Sequence, residues 1–109
     1  MAKYLISGSY TTDGTRGLMA EGGSARKAAV EKALSGLGGK LEAIYFAYGD
    51  TDVYCIADIP DAASALALSL VVNASGAVNI KTTPLLTVAE VDAATKKSVA
   101  YRPAGAAGV

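Results

Sequence analysis

Three observations predict an α+β fold for this chain. Short runs of β-branched and aromatic residues alternate with Ala-rich segments of helical period. Runs and helices follow in the order βαββαβ, and a Gly-Asp-Thr turn separates the two central runs. That order is the split βαβ, or ferredoxin-like, arrangement, in which right-handed crossovers place both helices on one face of a four-stranded antiparallel sheet. A chain of 109 residues can build one such core but not two.

The first strand is Tyr4 to Tyr10, YLISGSY, ending in a Thr/Asp/Gly cluster. The stretch from Thr11 to Gly23 carries Gly14, Gly17, Gly22 and Gly23 and reads as a long loop. Ser24 offers an N-cap oxygen, and Val30, Ala33, Leu34 and Leu37 then recur at helical spacing before Gly38-Gly39 ends the first helix. Lys40 to Tyr48 and Asp52 to Ile59 form the hairpin, which Pro60 stops. Asp61 caps a second helix over Ala62 to Ala74, terminated by Gly76. Ala77 to Leu86 is the fourth strand, and Pro84, which has no N–H to donate, means that it lies at a sheet edge or that its pairing ends near there. Thr87 and Glu90 make a capping box for a third helix that runs to about Lys97. The expected domain is therefore 1–97, with 98–109 as a mobile tail for which Tyr101 is a potential anchor.

The hairpin strands do not alternate between apolar and polar as an open sheet face would require. Val53, Cys55, Ala57 and Ile59 point one way, and Tyr54 and Ile56 the other. On the preceding strand Leu41, Ala43, Tyr45 and Ala47 oppose Ile44, Phe46 and Tyr48. Both faces are thus largely apolar, and the second helix is apolar nearly all round. The economical cover is a second subunit, so a homodimer, or a higher homo-oligomer, is expected.

Composition narrows the chemistry. Ten basic and ten acidic residues balance, with no Lys/Arg run to displace counterions, so no nucleic-acid partner is expected. No segment is long and apolar enough to span a bilayer, and no leader pattern opens the chain. With a single cysteine, Cys55, this leads to the expectation of a cytoplasmic protein. The chain has no histidine, which removes Ser-His and Cys-His nucleophile pairs and a His-based zinc centre. No cofactor and no metal is expected. Asp50 and Asp52 on the turn suit side-chain capping better than cation binding. The glycines before Ser24 match neither phosphate-loop pattern, although Arg16 and Arg26 stand near that helix start. Cys55, inside a strand, reads as a buried thiol.

Around the hairpin, Gly38-Gly39-Lys40-Leu41, Ala47-Tyr48-Gly49, Asp50-Thr51-Asp52-Val53 and Ile59-Pro60-Asp61 resemble the GYD-domain family over roughly Tyr4 to Val91. The family's Gly-x-Tyr-Asp motif maps onto Gly49, Thr51 and Asp52, with Thr51 in place of the tyrosine. The resemblance implies a ferredoxin-like fold of the dimeric α/β-barrel type. The functional expectation is a non-catalytic module that binds a small molecule or a partner. The alternative is a cofactor-free enzyme, monooxygenase- or isomerase-like, with a pocket between sheet and helices. Tyr10, Arg16, Tyr48 and Asp52 are the candidate ligand-binding residues; no catalytic residue is assigned.

Overall fold

A computed structural model describes residues 1–105 of the chain. Four strands, β1 (Ala2–Tyr10), β2 (Lys40–Phe46), β3 (Val53–Ile59) and β4 (Val78–Leu85), form one antiparallel sheet in the order β2-β3-β1-β4. With three helices, α1 (Thr12–Gly36), α2 (Ala62–Ala74) and α3 (Val88–Thr95), the arrangement is α+β and consistent with a ferredoxin-like fold. Pro84 does lie on an edge strand. Along the outer side of β4, Asn73 covers one exposed peptide: the Ile80 N–H donates to Asn73 Oδ1 at 2.7 Å.

Leu34 of α1 and Ala65 of α2 pack on one sheet face against Tyr4, Ile6, Val53, Cys55, Ala57 and Ile59. The inward set of β3 is therefore the one its alternation predicts. On β2 the expectation needs correction. A bulge between Leu41 and Ala43 shifts the register, so Leu41, Ile44 and Phe46 pair with Ala57, Cys55 and Val53 on the helix side. Ala43 and Tyr45 face the other way, opposite Ile56 and Tyr54. One extra residue reverses every later side chain, which a strict period of two cannot anticipate.

The expected loop over 11–23 is also corrected. Helix α1 starts at Thr12, and the Thr11 hydroxyl accepts the Gly14 N–H at 3.2 Å as its N-cap. Thr11 Oγ1 in turn donates to the Gly76 carbonyl at 2.7 Å, and its N–H to the Ala77 carbonyl at 3.0 Å, which ties the helix start to the entry of β4. Gly22, at φ 81° and ψ 172°, breaks α1 into two limbs, residues 12–21 and 23–36. A side chain would strain that conformation. Ser24 thus lies at the head of the second limb rather than capping the first helix. At the far end, the Gly39 N–H reaches the Leu34 carbonyl at 2.8 Å and the Gly38 N–H that of Ser35 at 3.0 Å, the Schellman termination expected of that glycine pair.

Helix α2 buries only Ala65; Leu66, Leu70 and Val71 are exposed. Helix α3 has its capping box, with Thr87 Oγ1 and Glu90 Oε1 each accepting the other residue's N–H, yet every residue from 86 to 105 is exposed. Tyr101, expected as an anchor, is 76% exposed and is not part of the core among the described residues. Of the expected tail, residues 98–105 carry neither helix nor strand, and 106–109 lie outside the described residues.

Candidate functional site

The helical layer that closes over the sheet is built from small side chains. Ala29, Ala33, Gly14 and Gly17 line its inner side, and the chain has one Phe and no Trp to fill the space beneath them. A cavity of about 480 Å³ results, bounded by both limbs of α1, by α2 and by the sheet. Its floor is Ile6, Val53, Cys55 and Ile80, and its helical walls include Val30, Leu34, Leu68 and Val72. Cavities of this size, mostly apolar with a few polar groups, are typical of small-molecule sites.

The polar groups come from the α1 side. Tyr10, Asp13, Glu21 and Arg26 all line the cavity. Arg26 Nη1 pairs with Glu21 Oε1 at 3.4 Å across the Gly22 break, so the break brings the two limbs' charges together. Burial raises the Tyr10 phenol above its ordinary value, while the neighbouring Arg26 cation acts in the opposite direction. Tyr10 therefore stays protonated at neutral pH and can donate a hydrogen bond. Burial likewise raises the Cys55 thiol, which leaves it a poor nucleophile on the cavity floor.

Tyr10 and Leu18 also line a second cleft of about 330 Å³, with Thr15, Gly23, Phe46, Ala47 and Asp52. Asp52 does not cap its own turn. Its Oδ2 accepts the Tyr10 N–H at 2.8 Å, and its N–H donates to the Gly8 carbonyl at 2.8 Å. The β1–β3 ladder ends at the Gly8–Val53 pair, so this carboxylate takes over where backbone pairing stops and fixes the turn from β1 into α1. Gly49, at φ 121°, turns the hairpin, and the Asp50 carbonyl accepts the Ser9 hydroxyl at 2.6 Å. These residues of the sequence motif hold the hairpin tip against the end of β1.

Of the four residues expected to share a pocket, the structure brings two together. Tyr10 lines both spaces and Asp52 the smaller one. Arg16 is exposed on the first limb of α1 and Tyr48 is 99% exposed; neither lines either space. Asp13 and Glu21 were not anticipated, because their segment read as loop. The signal was present: Asp13, Gly17 and Glu21 recur every four residues, which puts them on one helix face. Among the described residues there is no cluster of three His, Cys, Asp or Glu side chains able to hold a metal ion, and no helix is long and apolar enough to cross a membrane.

The family model for the GYD domain matches residues 4–95. Neither a curated protein nor a solved structure matches the chain.

Proposed function

This chain belongs to the GYD domain family, and from the geometry of its cavity we propose that it is a homodimeric binding module for a small, mostly apolar molecule. The observation that carries the reading is the space of about 480 Å³ between sheet and helices, aliphatic on most sides and polar where Tyr10, Asp13, Glu21, Arg26 and Ser75 line it. A ligand that fits this lining has a compact hydrocarbon or aromatic body and one oxygen function, such as a carbonyl or hydroxyl, to accept the Tyr10 proton. Arg26 is already paired with Glu21, and Asp13 adds a second carboxylate, so the polar end does not favour an anionic head.

The dimer is supported by the sheet face away from the helices. There Tyr45 and Tyr54 are exposed beside the half-buried Ile56 and Leu5, with Tyr45 72% exposed. Lys3, Glu42 and Asp58 form a charged group at one end of that face, with Lys3 Nζ 2.7 Å from Glu42 and 2.9 Å from Asp58. The module acts in the cytoplasm, where a lone thiol such as Cys55 remains reduced. The enzyme alternative gains no support from geometry, since Arg16 and Tyr48 stand apart from Tyr10 and Asp52.

Native mass spectrometry of gently purified protein tests the ligand reading, together with titration of 6-propionyl-2-(dimethylamino)naphthalene as an uncharged apolar probe. The expected result is a bound small molecule or saturable probe binding that Ala33→Trp, which fills the cavity, abolishes while the circular dichroism spectrum is retained. Tyr10→Phe weakens binding of a carbonyl-bearing ligand by roughly tenfold, the worth of about one hydrogen bond. A bare mass with no saturable probe binding, or probe binding unaffected by Ala33→Trp, overturns the reading.

A further inference from the structure

The segment after β4 carries a folded helix, α3, none of whose residues is buried. Helix α3 has eight residues, whereas isolated helices shorter than about 12–15 residues are marginal in water even with good caps. Yet all of residues 86–105 are exposed, including the apolar Leu86, Val88, Val91, Val99 and Tyr101. Only Leu86 and Thr87 separate β4 from α3, and the arm projects from the body: the radius of gyration is 17.8 Å and the longest dimension 61 Å, against about 13 Å for the radius of a compact chain of this length. The same chain leaves Tyr45 and Tyr54 exposed on its sheet beside the half-buried Ile56 and Leu5. Exposed apolar side chains on the arm and an exposed aromatic sheet face are complementary halves of one contact, and a short hinge favours making it between copies.

We propose that residues 86–105 are an exchange arm, whose Val88 and Val91 side of α3 lies on the open sheet face of a second copy while that copy's arm lies on the first. A two-fold axis doubles every contact, and this is how two small patches approach the roughly 1,600 Å² that a stable interface buries. The proposal rests on the dimer reading above and adds the surface that makes the dimer. The cavity lies on the other side of the sheet, so the arm leaves the ligand site untouched.

Light scattering behind size exclusion, over a range of concentrations, is the test. The full chain is expected to be a dimer. A chain ending at Leu86 and the full-length double variant Val88→Asp/Val91→Asp are expected to associate at least roughly a hundredfold more weakly, because buried carboxylates would replace apolar contacts. Their circular dichroism spectra should remain those of the folded chain, since Val88 and Val91 are exposed and lie outside the core. Tyr54→Lys, on the sheet face, should likewise be monomeric. Mixed one to one, the double variant and Tyr54→Lys should form a heterodimer, because an intact arm then meets an intact face. Leu70→Asp, at an exposed position of α2, should leave the dimer unchanged. A full chain that is monomeric throughout sinks both the dimer and the arm. A dimer that survives in the arm variants, the absence of rescue on mixing, or loss of the dimer in Leu70→Asp removes the arm-on-sheet contact and leaves the dimer reading standing.

Discussion

Asp52 precedes β3 by one residue and spends its carboxylate on the Tyr10 N–H, 42 positions away in the chain. A hydrogen bond to a charged acceptor in a half-buried position contributes about 1.5–3 kcal/mol, and its loss leaves a peptide N–H without its partner. Asp52→Ala is therefore expected to lower the unfolding free energy by about that amount in urea titration. Asp52→Asn, which keeps an oxygen at the same place, should lose half of it or less. Equal losses for the two variants would show that the oxygen is not what holds the hairpin to β1. In the sequence the residue stands out only as part of the Gly49-Asp50-Thr51-Asp52 turn. Its partner was not legible there, because turn rules describe only near neighbours.

Helix α1 is where local propensity and tertiary packing part. Glycines normally weaken a helix by about 0.5–1 kcal/mol relative to alanine, and three in eleven positions read as loop. The first limb forms because Gly14 lets the helix approach the entry of β4: a Cβ there would come 1.8 Å from the Ala77 carbonyl oxygen. Gly17 has nothing within 4 Å of the same position. The two substitutions should therefore have opposite signs. Gly14→Ala is expected to destabilise by about 2 kcal/mol or more, through displacement of β4 or of the limb. Gly17→Ala should stabilise by about 0.5–1 kcal/mol, as in an ordinary exposed helix. Chemical denaturation of the pair checks this, and a stabilising Gly14→Ala would contradict the close approach. The second limb, α2 and α3 were legible because Asp61, Thr87, Glu90 and Gly38 are local signals that act within one helical turn.

At the scale of the whole molecule, two groups inside one cavity couple folding to pH. Burial raises both the Cys55 thiol and the Tyr10 phenol above their ordinary values of 9.0 and 10.0. The folded chain thus holds these protons more tightly than the unfolded chain. Their contribution is complete below the unfolded values and is lost as pH climbs through the raised folded ones. Thermal melting followed from pH 7 upward should show a midpoint that falls above about pH 9, and Cys55→Ala should make that fall shallower. A midpoint that rises across the same range would contradict burial of the two groups. The cavity itself was not legible. Alanine and glycine on the inner side of α1 announce small side chains, but empty space appears only once two limbs and a second helix are set at a distance from the sheet.

What the chain determines by itself is the type, order and ends of most elements, since caps, turn glycines and the inward set Val53, Cys55, Ala57 and Ile59 on β3 are patterns that act over a few residues. The restriction on where β4 can pair belongs with these, because Pro84 carries it wherever it sits. Tertiary structure alone decided the bulge that turns Tyr45 outward, the helical state of residues 12–21, the pairing of Arg26 with Glu21 across the break, and an arm whose apolar side chains stay exposed. Each depends on which distant backbone or side chain arrives alongside. A short window of sequence holds no record of that distance, and the free energy that settles it is shared between segments that meet only in the folded molecule.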